Sequence, residues 1–245
     1  MDNTLYIGLA AQSAIKRQMD ILAHNVANVN TTAYNKENIQ FKEYLMDVGG
    51  NSPSSGGKIS TVLDIGTVRD LEEGAFTNTG NPLDFAISGR AYLSVKNAAG
   101  DQFYTRNGRM TISENSELIT LSGNIVLDNG NNPIIINPED ADFKITEKGA
   151  ISSRSRQIAQ LGIYSFDNER SMKRSGDSLY SSEQPAIEAT DYKIVQGSIE
   201  NSNVNAVMAM TEMIDISRKY ESLTRSMSKL QELRKDSLNR LAKVQ

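Results

Sequence analysis

Residues 206–244 read AVMAMTEMIDISRKYESLTRSMSKLQELRKDSLNRLAKV, and the fold turns on how this run is read. Ala206, Ala209, Met213, Ile216, Tyr220, Leu223, Met227, Leu230, Arg234, Ser237, Leu241 and Val244 follow one another at steps of three and four. That spacing is the seam of a helix packed along a second helix. Ten of the twelve positions are apolar, and Leu233 and Leu238 flank the two that are not, so the stripe slips by one place there. No Pro or Gly interrupts the run. At ~1.5 Å per residue it makes a helix of roughly 60 Å, and one apolar stripe of that length must be covered by a partner.

The opposite end of the chain offers that partner. Ala11, Ile15, Met19, Leu22, Val26 and Val29 are spaced four, four, three, four and three, a coiled-coil-like seam from Ile15 onward. Period alone fits an ordinary amphipathic helix equally well. If the two terminal helices pair, they run antiparallel, and the end of the first, near Asn25–Thr32, faces the start of the second, near Asn201–Asn205. Both junctions are rich in asparagine: NVANVNTTAY at residues 25–34 and NSNVN at 201–205.

Those asparagines admit two readings. Asn25 and Asn28 lie three apart beside Val26 and Val29, where an amide in a seam penalises wrong registers because it must find a partner. The alternative is a solvated helix end, since Asn30, Thr31 and Thr32 compete for backbone hydrogen bonds and favour leaving the helix.

Between the helices the texture changes. Residues 47–60, DVGGNSPSSGGKIS, read as a loop or connector. From about Asn81 short apolar runs follow a period of two: Leu83–Ile87, Leu93–Val95, Phe103–Thr105, Met110–Ile112, Ile119–Leu121, Ile125–Leu127, Ile134–Ile136, Phe143–Ile145 and Ile163–Phe166. Turn signals separate them at Ala99-Gly100-Asp101, Asn107-Gly108, Ser122-Gly123-Asn124, Asp128-Asn129-Gly130 and Lys148-Gly149; Asn-Gly favours a tight hairpin turn. Residues 167–193 are polar and Ser-rich and read as loop or surface hairpin. The expected fold is α+β: long N- and C-terminal helices pairing as a coiled-coil-like arm, with a central antiparallel all-β domain. The expected spans are an N-terminal helix and Asn-rich motif at 1–34, a linker or extended region at 35–80, the β domain at 81–200 and the C-terminal helix at 201–245.

Composition narrows the function. The 245 residues carry 26 Lys+Arg against 30 Asp+Glu, a net charge of -4, which gives no global pull toward nucleic acid. There is no cysteine, so disulfides and thiolate metal or redox sites are excluded. The first residues, MDNTLYIGLAAQSAIKRQMD, lack the basic and continuous apolar regions of a secretory signal, and no stretch has the ~20 apolar residues of a membrane helix.

Four stretches carry a family resemblance. AHNVANVNTTAYNKE, TNTGNPLDFAISG, YTRNGRMTI with LITLSGNIVL, and QGSIENSNVNAVMAMTEMI resemble, in order, the signature segments of the flagellar rod and hook proteins. Within that family the opening, with LYIGL and QMD, is similar to the proximal-rod F-type branch rather than the distal-rod G-type. The length also suits a rod subunit. Departures are His24 for Asn, Ala33-Tyr34 for Gly-Phe, Ser88–Tyr92 without the Gly-x-Gly-Phe-Phe pattern, and Asn115–Glu117 without a Gly. The resemblance implies a structural subunit of the basal-body rod that transmits torque for motility. Its terminal helices would pack in the inner layer of the rod and its β domain outside. It implies further rod subunits as partners: copies of itself, neighbouring proximal-rod proteins and the distal-rod protein. It also implies export through the flagellar type III apparatus without a cleaved signal, a rod spanning the periplasm, and termini that order on assembly.

On this reading the assembly interface lies on the helices, at Ala11, Ile15, Met19, Leu22, Asn25, Val26, Asn28, Val29, Asn203, Asn205, Met213, Ile216, Tyr220, Leu223, Met227, Leu230 and Leu241. Catalysis finds no support. His24 is the single histidine and there is no Gly-x-Ser-x-Gly elbow. Asp128–Asn132 lacks the alternating acids of a calcium loop, and Gly56-Gly57-Lys58-Ile59 is not a phosphate loop. The basic residues of the last helix, Arg218 to Lys243, decorate a coiled-coil-like element, where charges set partner choice. No enzyme activity, cofactor, metal, nucleic acid or small-molecule substrate is expected. The competing readings are a distal-rod or hook-type subunit, and a secreted β-domain enzyme or glycan-binding module with helical oligomerisation tails. The last requires a pocket of convergent polar residues, which the sequence does not offer.

Overall fold

The computed structural model describes residues 2–48, 57–137, 143–153 and 156–242. The chain forms two compact units, each assembled from separated segments.

The first unit holds helix α1 (Asp2–Ala27), helix α2 (Ala206–Ala242) and a two-stranded ribbon, β1 (Glu37–Val48) with β2 (Gly57–Arg69). The helices pair antiparallel. Gly8 lies against Met227, and Gln12 reaches Tyr220 and Thr224, so contacts move toward the start of α2 as α1 advances. On α2 Ala209 and Ile216 are buried and Met213, Tyr220, Leu223 and Met227 half-buried. Beyond Met227 every described side chain of α2 is exposed. The covered part of the stripe is therefore its first six turns.

Residues 35–80, expected as a linker or extended region, contain the whole ribbon. Register runs from Glu37↔Arg69 to Val48↔Gly57, and a bulge at Gln40/Phe41 falls opposite Gly66, whose φ of 138° a side chain would resist. The signal was present: Ile59, Thr61, Leu63 and Ile65 alternate with Lys58, Ser60, Val62 and Asp64. The Gly/Ser-rich run hid it by straddling both strand ends; residues 49–56 of that run lie outside the described residues. Both strands pack on α1.

The second unit comprises residues 28–36 and 71–204 and is antiparallel β throughout. Its main sheet orders the strands Lys173–Arg174, Leu179–Ser181, Gln102–Thr105, Tyr92–Lys96, Ile125–Val126, Leu118–Thr120 and Met110–Ile112, with Ile163–Ser165 also paired to Tyr92–Lys96. The core gathers Phe85, Ile87, Leu93, Val95, Leu118, Val126, Ile134, Ile136, Ile151 and Leu161. Each such side chain contributes about 1.5–3 kcal/mol by leaving water. Tyr92 faces the opposite way from Leu93, into a second cluster with Phe166, Met172 and Tyr180, whose rings meet edge to face. Strand Tyr92–Lys96 is thus buried on both faces up to Val95, which erases the alternation expected of it.

One expectation for this unit sharpens and one changes. Residues 167–193, expected as loop or surface hairpin, contain a hairpin, Lys173–Arg174 with Leu179–Ser181, which extends the main sheet and is anchored by buried Met172, Leu179 and Tyr180. Asn107-Gly108 is not a hairpin turn, since Gln102–Thr105 and Met110–Ile112 pair with other strands. Gly108 is instead a crossing point. Its carbonyl accepts from Phe85 N at 3.0 Å, and a Cβ there would sit 1.6 Å from Phe85 O.

Candidate assembly surface

In the first unit the paired helices use the expected positions as an internal seam. Ala11, Ile15 and Met19 are half-buried, Leu22 is buried, and they share the unit with Met213, Ile216, Tyr220, Leu223 and Met227. Leu230, at 43% exposure, stands past the end of the covered stripe. The side chain of Leu241 lies outside the described residues. Val26 is half-buried at the end of α1, and Val29, half-buried, follows in the segment of the second unit. Three seam positions lay outside the sequence reading, Gly8, Gln12 and Thr224. Gln12 Nε2 donates to Tyr220 Oη at 3.1 Å and to Thr224 Oγ1 at 3.3 Å, and a Cβ on Gly8 would meet Met227 Sδ at 2.1 Å. A glutamine in helical register with Ile15 and four residues after a glycine was the available clue.

The asparagines serve backbone rather than seam. Asn25 is fully buried; its Nδ2 donates to Glu37 O at 2.8 Å and its Oδ1 accepts from Glu37 N at 2.9 Å. One side-chain amide thereby imitates a strand neighbour and fixes where β1 begins. Asn28 closes the helix: its carbonyl accepts from Thr31 N and its Oδ1 from Thr31 Oγ1, both at 3.1 Å. Asn205 is the N-cap of α2, its Oδ1 accepting from Met208 N at 3.1 Å, three residues on. Asn203 binds two segments of the second unit at once, Oδ1 accepting from Lys36 N at 2.6 Å and Nδ2 donating to Glu72 O at 2.9 Å.

The second unit brings the four resemblance-bearing stretches together. Ala33 N donates to Glu200 O at 2.8 Å and Asn203 N to Tyr34 O at 3.2 Å, tying the first stretch to the fourth. Strand Ser198–Glu200 pairs with Phe76–Asn78, and Lys193–Gln196 with Phe85–Ser88, tying the fourth to the second. Arg106, from the third, lies at the centre. Its Nε donates to Glu200 Oε2 at 3.0 Å, Nη1 to Gly89 O at 2.7 Å and Nη2 to Ile87 O at 2.9 Å. Arg106 and Glu200 are only 6% and 2% exposed. Glu200 Oε1 also accepts from Gly74 N. Burial pushes the Glu200 carboxyl above the usual carboxylate range, against the pull of Arg106; the Arg106 guanidinium, though desolvated, is held more firmly protonated by Glu200. A buried pair with every oxygen and nitrogen engaged specifies one arrangement of strands. It escaped the sequence reading because its members are 94 residues apart.

Two departures from the family pattern fall where the backbone turns left-handed: Ala33 has φ 54° and Ser116 φ 62°. Both occupy places where the resemblance has glycine, the residue that adopts this conformation without steric cost.

The helices also expose apolar side chains outside the seam, at two separate places. Tyr6 (72% exposed) and Leu9 (60%) on α1, and Val207 (75%), Met210 (51%) and Ile214 (54%) on α2, stand in solvent. Val207, Met210 and Ile214 repeat the three-four step one position beside the seam, so the first three turns of α2 are apolar nearly all round. Among the described residues no group of His, Asp and Glu side chains could hold a metal ion, and no helix is long and apolar enough to cross a membrane. His24 is exposed on α1, beside a shallow hollow bordered by Arg17, Asp20, Glu37 and Thr67.

Family models match at residues 5–34 (flagella basal body rod protein), 86–153 (flagellar hook protein FlgE/F/G D1 domain) and 195–241 (flagellar basal body rod FlgEFG protein C-terminal). The chain is 34% identical to the flagellar basal-body rod protein FlgF of Caulobacter vibrioides over the full length of both. It is 34% identical to FlgF of Mesorhizobium japonicum over 91% of this chain and 90% of that one. It is 31% identical to FlgG of Agrobacterium fabrum over 89% of this chain and 91% of that one.

Proposed function

We infer the working role of this chain from one premise: it belongs to the flagellar basal-body rod proteins of the F type, and is a structural subunit of the basal-body rod. Its place is the proximal rod, where it passes torque along the shaft as a stiff, non-catalytic link. Its partners there are copies of itself, neighbouring proximal-rod proteins and the distal-rod protein. It reaches the rod through the flagellar type III export apparatus, and the rod it joins spans the periplasm.

One observation carries this reading. The paired helices leave Val207, Met210, Ile214, Tyr6 and Leu9 in water after their own seam is closed. Exposed apolar groups of that kind mark interaction surfaces, and in an open polymer each subunit presents them to different neighbours. The predicted interface residues act in two sets: Ala11 to Leu22 and Met213 to Met227 hold the arm together, while the exposed apolar groups and the end of α2 with Leu230 and Leu241 meet neighbours. Asn25, Val26, Asn28, Val29, Asn203 and Asn205 set where the first helix ends and the second begins.

The test is the double variant Val207→Glu/Ile214→Glu, checked by circular dichroism in the purified chain and by swimming in the cell. The expected result is unchanged helicity with loss of motility and absence of the subunit from isolated basal bodies. Normal swimming with the variant recovered in basal bodies would remove the reading.

A further inference from the structure

We propose that Gln12, with Tyr220 and Thr224, selects the register in which α1 and α2 pair, and that Gly8 and Met227 enforce it. This concerns the arm of the single molecule and does not depend on the position assigned to it in the rod.

The seam itself is permissive. Its apolar positions recur every three and four residues along α2, so a shift of one heptad would still bring apolar side chains together over much of α1. Two features make the registers unequal. Gln12 presents an amide whose two donors are both used, by Tyr220 Oη and Thr224 Oγ1. Gly8 lacks a side chain where the Met227 thioether lies against the α1 backbone.

A shift of seven residues toward the end of α2 puts Gln12 opposite Met227 and Gln231, and Gly8 opposite Arg234. The amide then faces a thioether, and the seam runs into Arg234 and Ser237, its two polar positions. The opposite shift sets Gln12 against Met213 and Ser217, and Gly8 against the ring of Tyr220. In that arrangement the hollow built for an unbranched side chain meets an aromatic one. In both shifts the hydroxyls of Tyr220 and Thr224 lose the amide. A half-buried polar trio therefore discriminates by what it forfeits elsewhere, which is the way a polar residue in an apolar seam sets alignment.

The chain has no cysteine, so labels can be placed without background. Ser13→Cys on α1 and Ser222→Cys on α2, both exposed in the structure, accept spin labels for pulsed dipolar distance measurement. The parent chain is expected to give one distance. In Gln12→Leu, a second population with a longer distance, from labels offset by about 10 Å along the arm, one heptad of helix rise, is expected to grow by about tenfold or more, the factor set by losing the trio's hydrogen bonds. The variant Tyr220→Phe/Thr224→Val removes the acceptors and leaves Gln12 in place, and the same second population is expected. A single unchanged distance in both variants overturns the proposal. Loss of helicity in both, without a displaced distance, also overturns it, since the trio would then support the helices rather than choose between alignments.

Discussion

Replacing Arg106 by methionine tests the centre of the second unit. The substitution keeps much of the volume and removes one charge. Glu200, 2% exposed, is left as a buried anion without its cation, a defect of about 3–5 kcal/mol. The carbonyls of Ile87 and Gly89 lose donors at 2.9 and 2.7 Å, and an unsatisfied buried carbonyl adds about 1 kcal/mol or more. Relaxation and water entry recover part of this, so the net expectation is about 5 kcal/mol, against a total of about 5–15 kcal/mol for a domain. Urea unfolding followed by tyrosine fluorescence suits the case. The chain has 9 Tyr and no Trp, and Tyr92, Tyr104, Tyr164 and Tyr180 cluster in this unit. The midpoint should fall with the slope unchanged.

The pH dependence has a definite sign. Burial holds Glu200 above the ordinary carboxylate range in the folded chain, and removing Arg106 raises it further. A carboxyl whose folded pKa exceeds its unfolded one favours the folded state when protonated and loses that advantage as pH rises through the folded value. The deficit of Arg106→Met should therefore be smaller at pH 5 than at pH 8, by about 1.4 kcal/mol for each unit of further displacement traversed. Arg106→Lys keeps the charge but not the planar fork that serves Glu200, Gly89 and Ile87 together, and should fall between parent and Met variant. A loss below about 1 kcal/mol for Arg106→Met, or a deficit equal at both pH values, would show that the pair does not hold the strands.

Three further outcomes are expected. Asn25→Leu removes both partners of the Glu37 backbone and should cost about 2–4 kcal/mol, with the Glu37 amide exchanging hydrogen far faster; slow exchange there would contradict the role given to Asn25. Asn205→Ala should lower thermal stability of the arm by about 1 kcal/mol through loss of the α2 cap, as read by circular dichroism at 222 nm. Ser116→Gly relieves a left-handed serine and should raise stability by about 0.5–1 kcal/mol in urea unfolding, whereas Ala33→Gly also gives up a buried methyl worth about 0.8 kcal/mol and should be near neutral.

The helices were legible because their signal is local and repeated: from Ala206 to Leu230 each step of three or four adds to one stripe. The β unit was legible as a class, through short alternating runs, though not in its pairings. Asn107-Gly108 shows why. The dipeptide favours a tight turn, but the chain uses Gly108 to let the backbone of Phe85 pass, a demand made by a strand about twenty residues away. Asn25 misled in the same way: its position beside Val26 is visible, whereas its choice of Glu37 as partner depends on where the chain goes next. The Arg106–Glu200 pair was written in the sequence as two single residues, without a pattern that joins them.

The way the two units share the chain has a consequence for the order in which they can be completed. The helical unit needs residues from the beginning, from 37–70 and from beyond 205; the β unit needs 28–36 and a stretch running to 204. A ribosome or a narrow conduit delivers residues in sequence, so α1 waits for α2, and Arg106 waits for Glu200, until nearly the entire polypeptide has emerged. Closing such wide loops is slow compared with forming local turns, and over that interval the molecule remains an open strand that can still be drawn through a passage too small for either finished body.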